Sequence, residues 1–453
     1  MKRKSGFSRL AALLSLTLLF GTLAGCANTS SGSSSASGIS SDASTSSKSP
    51  DSSDDTLVFW NIAFETVDED GVIPDDELAL NKAIAQFEAK TGMKVEVVNQ
   101  GYDNYLTLFR SAGMSKSGPD VVHLHAGTFT TDYAEFIEPL DSYFEEEITD
   151  FPDLSLCRVD QSADGALLGI PHDITALSMF YNRAIFEEAG LDPDAEIKTF
   201  ADLEAACEKI KAAGYVPLSI ADGDGSATTW VMCEFLSDKV GPEKIYDFKD
   251  GTLNASSPEF IEGMTVWTDF AQKALTNGWC NADAFTNTGD ARSEFWAGKT
   301  GMTLGGTWWC GTTYSELGED AGIMPIPAAS ADDPYIDSIC SQFSGNIVVT
   351  SYSKKKEAAV EFLKILTSRE IQTTFYENGG GLPPRLTLDI ASAENSDPLS
   401  LKAYSWIQLN KNVVGFDSII SANAAEEFYR LAPLTAMGDM TVEDFSTKVQ
   451  EKQ

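Results

Sequence analysis

The run "TLVFWNIA" (Thr56–Ala63) opens a stretch that closes with "PDVVHLHAG" (Pro119–Gly127), and the reading of this stretch decides the fold. Its first segment is an apolar run of strand type. "PDDELALNKAIAQFEAKTG" (Pro74–Gly92) follows as an amphipathic helix, with Leu78, Ile84 and Phe87 near one face and a glycine after its end. "MKVEVVNQG" (Met93–Gly101) alternates as a strand does. "YDNYLTLFRSAGMSKSG" (Tyr102–Gly118) reads as a helix closed by glycine, and the final segment is again an apolar strand. Strand, helix, strand, helix, strand at this spacing predicts a parallel sheet with helices on its faces.

Working outward, the alternation resumes after Gly169. "IPHDITALSMFYN" (Ile170–Asn182) is a long extended segment, followed by the helices "RAIFEEAG" and "TFADLEAACEKIKAAG" and the strand "YVPLSIA" (Tyr215–Ala221). Further helices are predicted from near Trp230 and from about Pro258 to Asn277. "RSEFWAGKTGMTLGGTWW" (Arg292–Trp309) runs helix, turn, strand; "GNIVVTSYS" and "KKKEAAVEFLKILTS" add a strand and a helix. The last hundred residues are mostly helical, and no repeat or Ser-rich linker divides the chain. The fold class is α/β, in two lobes.

Towards the N-terminus, Lys2, Arg3, Lys4 and Arg9 precede an apolar run from Leu10 to Phe20. A basic start before about ten apolar residues reads as an export signal, because a membrane span needs about twenty. The run ends in "LAGC" (Leu23–Cys26), which resembles the bacterial lipobox; cleavage before Cys26 would leave that cysteine lipid-modified. Residues 27–55 are rich in Ser, Gly, Ala and Asp and have almost nothing to bury, so they read as a flexible spacer. Residues 1–25 are thus expected to be a lipoprotein signal peptide and 26–55 a tether to the outer face of a cell membrane.

The net charge is −36, and no polybasic segment interrupts it, which argues against nucleic acid as a partner. Beyond Cys26 six cysteines remain, none in a CxxC pair, and Cys207 falls on the core face of its helix. Buried thiols and disulfides both stand as readings. No HExxH or Cys/His cluster suggests a metal, no G-x-S-x-G elbow a nucleophile, and no glycine-rich loop a phosphate. Asp222 and Asp224 in "ADGDGSATT" lack the spacing of a calcium loop and read as a solvated turn. No catalysis and no cofactor are expected, although plentiful carboxylates leave a secreted carbohydrate-active enzyme as a rival reading.

From Leu57 onward the chain resembles the extracellular solute-binding proteins of bacterial ABC importers, in the carbohydrate-binding branch that includes maltose-binding protein. The resemblance rests on pieces in the family's order: "LVFWN", "FEAKTGMKVEVV", "GPDVVHLHAG", "GALLGIPHDITALSMFYNRAIFEEAGL", "FWAGKTGMTLGGTWW", "GIMPIPA" and "KKKEAAVEFLKILTSREIQTTFYENGGGLPPR". It implies a two-lobed, type II periplasmic-binding-protein-like fold with a ligand cleft between the lobes. Lobe 1 would comprise 56–174 and 343–386, and lobe 2 would comprise 175–342 and the C-terminal helices of 387–453. The chain would cross near Ile174–Leu177, between Cys340 and Gly345, and shortly after Arg385. Hinge closure around the ligand would present the protein to membrane permease subunits.

The same resemblance supplies candidate ligand contacts. A sugar offers flat apolar faces for aromatic rings and hydroxyls for polar groups. Trp308 occupies the family's Gly-x-Trp position, where the indole stacks on a sugar ring; Trp309 and Trp230 lie near the same cleft, with core packing as the other reading. His125, at the C-terminal end of its strand, and His172 are candidates on equal terms with core roles, whereas His123 reads as core. Asp173, Glu65, Asn346 and Arg385 resemble positions that face the cleft, and Gly379, Gly380 and Gly381 permit a turn beside it. Thr175 departs from the family, which carries an acidic or polar contact there. The loop beyond Glu65, "TVDEDGVIPDD", is longer and more acidic than the family leads one to expect. The expected ligand is a carbohydrate, an oligosaccharide, with a non-sugar solute such as a peptide as the alternative; the protein is expected to act as a monomer.

Overall fold

The structure is a computed structural model that describes residues 55–453 except 69–70, 72, 102–104, 288–290 and 410–411. The signal peptide, Cys26 and nearly all of the tether therefore lie outside the described residues. Among the described residues eleven strands form two sheets. β1 (Thr56–Asn61), β2 (Lys94–Asn99), β3 (Val121–His125), β4 (Gly169–Pro171) and β10 (Gly345–Val349) form the first, in the order β2-β1-β3-β10-β4. β5 (Ile174–Asn182), β6 (Val216–Ser219), β7 (Thr300–Gly306), β9 (Ile339–Phe343) and β11 (Asn412–Val413) form the second, in the order β11-β9-β5-β7-β6. β8 (Ala321–Pro325) adds to it through β5.

β1 pairs in parallel with β2 and β3, as the alternation of strand and helix requires, because a parallel connection needs a crossover element. The helix Ala79–Thr91 is that element between β1 and β2. It buries Leu80, Ala83 and Phe87 and ends at Gly92, whose φ of 74° is the left-handed conformation of a glycine cap. Phe87 and Phe59 both meet Phe362 of the helix Lys356–Leu366, at ring-centroid distances of 5.5 and 5.6 Å. Where the alternation breaks, so does the parallel pairing: β10 runs antiparallel to both β3 and β4. The second sheet is mixed, since β5 is antiparallel to β7, β8 and β9.

The chain changes sheet three times, and at two of these points the change is abrupt. Only His172 and Asp173 separate β4 from β5, and only Ser344 separates β9 from β10. These points lie side by side. Ser344 Oγ donates to Asp173, the His172 amide donates to Gly345 O at 3.4 Å, and the Ile174 amide donates to Leu382 O at 2.8 Å. The residues that link the sheets are thus the residues at their common edge, where a cleft must lie.

Two large clusters fill the interior. One packs within the second lobe around Phe200, Phe235, Trp267 and Phe270. The other runs from Leu57, Phe59 and Ile347 of the first sheet to Ala176, Phe180 and Ile323 of the second. The six cysteines of the described region, Cys157, Cys207, Cys233, Cys280, Cys310 and Cys340, are buried and unpaired, so the thiol reading holds here. Among the described residues no helix is long and apolar enough to cross a membrane.

Candidate functional site

β7 is buried along its whole length and ends on Gly305 and Gly306; a 3-10 turn then carries Thr307, Trp308 and Trp309. A β-carbon on Gly305 would lie 2.1 Å from the Trp309 ring, and one on Gly306 would lie 2.0 Å from the Trp308 ring. The two glycines are therefore the space into which both indoles fold back over the strand. Trp230 reaches the same place from the helix Ser226–Lys244. Its centroid is 5.4 Å from that of Trp308 and 6.0 Å from that of Trp309, with both pairs edge to face. All three indoles stay partly exposed.

The start of that helix is fixed by Asp222, whose carboxylate accepts from the Thr228 amide at 3.0 Å and from Thr228 Oγ1 at 2.5 Å. Asp222 is fully buried, and burial pushes its carboxyl up to about 7. The turn is thus not wholly solvated as its sequence suggests. Asp224, by contrast, is exposed and accepts from the Ser226 amide at 3.0 Å.

The first lobe presents a second aromatic surface. Asn61, at the end of β1, holds the following loop by accepting from the Phe64 amide at 2.9 Å and donating to Phe64 O at 2.7 Å. The Phe64 ring then lies 5.1 Å from His172 and 5.0 Å from Phe375 of the helix Arg369–Glu377. After that helix Gly379 turns at φ 84°. At Gly381 a β-carbon would meet Asp173 Oδ2 at 2.7 Å, so the glycine lets the backbone lie against that carboxylate.

The two surfaces line one cavity of about 790 Å³, within the range of small-ligand sites. Trp230, Trp308, Trp309, His125, His172, Asp173 and Glu65 all line it, with Glu65 exposed. His172 Nε2 lies 3.4 Å from Asp173 Oδ1. His125 Nδ1 donates to Ser344 O at 3.3 Å, and burial lowers its pKa although that bond and Asp173 oppose the shift. His123 also borders the cavity but is 2 % exposed, set edge to face against His172 with ring centroids 4.5 Å apart. Burial first, then its two histidine neighbours, hold His123 neutral well below the usual imidazole range.

Two expected contacts are placed elsewhere. Asn346 is fully buried on β10, where its side chain donates to Thr130 Oγ1 at 3.3 Å and accepts from Cys157 Sγ at 3.0 Å. Pairing of β10 between β3 and β4 turns that side chain into the lobe and away from the cavity. Arg385 pairs with Asp150, donates to Glu147 O at 2.7 Å and covers the Phe151 ring at 4.2 Å. It holds a loop together and does not border the cavity. Conversely, the sequence reading passed over Arg292 and Phe375. Arg292 lies 4.5 Å over the Trp309 ring and brings a cation to the cavity wall. Its only signal was its position at the head of "RSEFWAGK"; Phe375 had none beyond an apolar helix face.

A family model described as bacterial extracellular solute-binding protein matches residues 71–373. An uncharacterized ABC transporter extracellular-binding protein of Pyrococcus horikoshii is 27% identical over 305 residues, 65% of this chain and 64% of its own length. The sn-glycerol-3-phosphate-binding periplasmic protein UgpB of Yersinia pseudotuberculosis is 24% identical over 303 residues, 64% of this chain and 66% of its own. The chain thus spans just under two thirds of the length of these curated relatives. Among solved structures, a chitin oligosaccharide binding protein aligns with a TM-score of 0.73 at 23% identity, covering 88% of this chain and 97% of that one. That likeness shows a two-lobed, type II binding-protein fold. With well over half of its residues matched by the family model, the chain belongs to the bacterial extracellular solute-binding proteins.

Proposed function

We propose that this protein is the substrate-binding component of an ABC importer and captures a carbohydrate, an oligosaccharide, in the cavity between its two sheets. The observation that carries this reading is the trio of partly exposed indoles, Trp230, Trp308 and Trp309, set edge to face on one wall. Indole faces cover the apolar faces of a pyranose, and Asp173, Glu65 and the histidines supply polar partners for hydroxyls. The name of the chitin oligosaccharide binding protein agrees with this chemistry. In this reading the protein binds without catalysis, acts as a monomer and delivers its ligand to permease subunits. Lipid on Cys26 holds it at the extracellular face of the membrane. The lobes divide near residues 174, 342 and 386, a division supported by the change of sheet at His172–Asp173 and at Ser344.

Titration of the purified chain with mono- and oligosaccharides, read by tryptophan fluorescence and calorimetry, tests the proposal. A saturable response is expected, with the sugar recovered unchanged, and Trp308→Ala should weaken it at least about tenfold. Arg292 at the wall and the sn-glycerol-3-phosphate-binding relative favour a second reading, an organophosphate ligand. A response to glycerol phosphate, or to peptides, with none to saccharides would replace the carbohydrate assignment.

A further inference from the structure

Past the indoles the cleft opens into a second compartment of about 650 Å³, and two of the six cysteines line it, Cys233 and Cys340. Cys233 lies on the helix Ser226–Lys244, on the turn after Trp230, and Cys340 lies on β9, shortly before the crossing at Ser344. The elements that carry them are tied together at this point. Glu234 Oε2, next to Cys233, accepts from the Cys340 amide at 3.0 Å. β11 pairs with β9 through Val413 and Cys340, and a β-carbon on Gly415, just beyond β11, would fall 2.9 Å from Cys233 Sγ. The two thiols themselves lie within hydrogen-bonding reach of each other.

The other cysteines of the described region are placed differently. Cys157 Sγ donates to Asn346 Oδ1 at 3.0 Å, and Cys310 has the Ser400 hydroxyl as its partner. Cys207 feels Cys280 only through its charge. A buried cysteine that stands alone packs as a small apolar residue, whereas two in contact can also be joined. Cys233 has a further link to the cavity wall, because its Sγ donates to Asp417 Oδ1 at 3.3 Å. Loss of that proton would leave Asp417 with the Tyr429 hydroxyl, which donates to its Oδ2 at 3.0 Å.

We propose that Cys233 and Cys340 are an oxidation site, joined in a disulfide when the chain folds in the presence of a small disulfide such as oxidised glutathione. One thiolate attacks the reagent, releases a glutathione and leaves a mixed disulfide; the second then attacks the protein sulfur and releases the other glutathione. The two cysteine protons and two electrons pass to glutathione, whose S–S bond is replaced by the one between Cys233 and Cys340. Once the chain has packed, burial holds the Cys233 thiol well above its usual range; at Cys340 the bond to Cys233 opposes burial, which still raises it. The bridge therefore forms during folding. It closes a loop of about one hundred residues that holds the helix Pro258–Asn277 and β7, and so restricts the unfolded chain. The proposal does not depend on which solute the cleft takes. The test unfolds the reduced chain in urea and refolds it with oxidised and reduced glutathione, while a second sample stays folded in the same buffer. Both are alkylated in denaturant and mapped by mass spectrometry. Peptides linked through Cys233 and Cys340 are expected in the refolded sample. Its urea midpoint should lie above that of the reduced chain and return to it with dithiothreitol, and Cys340→Ala should abolish the rise. Alkylation of both cysteines in both samples, bridges to other cysteines, or a midpoint indifferent to dithiothreitol would overturn the proposal.

Discussion

Gly306 has a φ of −153°, extended backbone that any residue adopts, so only the indole of Trp308 stands in the way of a larger side chain. Gly306→Ala should therefore push that indole out of place, lower saccharide affinity about tenfold and cost about 1–3 kcal/mol of stability through overpacking. Parallel titration and urea unfolding check both effects; unchanged affinity would show that the ring is not where the ligand meets it. Arg385 carries the opposite expectation. It is 6 % exposed and binds Asp150 and two backbone carbonyls, so Arg385→Ala strips both carbonyls of their donor and leaves Asp150 to Arg369 and Thr387. A loss of about 1–3 kcal/mol is expected, with saccharide affinity unchanged. Normal stability with lost affinity would return Arg385 to the cleft. The contrast explains what was legible at this scale. Trp308 was readable because two glycines before an indole leave a local mark. The role of Arg385 was not, because its carboxylate partner lies 235 residues away.

The helix Ser226–Lys244 joins the site to the interior. It presents Trp230 to the cavity, while Glu234 and Asp238, one turn apart, are each 1 % exposed. Glu234 Oε2 accepts from the Cys340 amide at 3.0 Å, but Asp238 Oδ1 has no hydrogen-bond partner among the described residues. Burial raises both carboxyl pKa values; Glu234, Asp333 and Asp337 add to the shift at Asp238, and the Cys340 amide opposes that at Glu234. Lys239 faces away from the pair towards Asp333 and Glu262, at 3.3 and 2.8 Å. The folded state therefore keeps protons that the unfolded chain releases in the ordinary carboxylate range. The pair's contribution to stability is fully present below that range and falls as pH rises through it towards the raised folded values. Glu234→Gln should flatten this fall, as seen in urea midpoints at about pH 5 and about pH 8; parallel slopes for the two proteins would refute the assignment. The sequence indicated a helix from near Trp230, whereas it begins at Ser226 after Gly225; the Asp222 carboxylate reaches the Thr228 amide from outside the helix, a contact that a pattern of apolar spacing does not show.

At the level of the whole molecule, the two lobes share one continuous apolar cluster, from Phe59 and Ile347 in the first sheet to Phe180 and Ile323 in the second. Lobes joined this way should unfold together. Calorimetry of the chain is expected to show a single transition with calorimetric and van't Hoff enthalpies in agreement, and saturating saccharide should raise its midpoint. Two resolved transitions, with only one moved by ligand, would mean that the lobes are energetically separate.

Local chemistry was enough to set the alternating strands and helices of Thr56–Gly127, the glycine stop at Gly92 and the Gly-Gly-Thr-Trp passage out of β7, since each depends on residues within a few positions. Placement of β10 antiparallel between β3 and β4, which buries Asn346, was decided only in three dimensions. So were the meeting of Phe375 with Phe64, the six thiols left unpaired and the second compartment beside Cys233 and Asp417. Each of these brings together segments far apart in the chain, and their contact is fixed by how the sheets pack, which no local pattern of polar and apolar residues encodes.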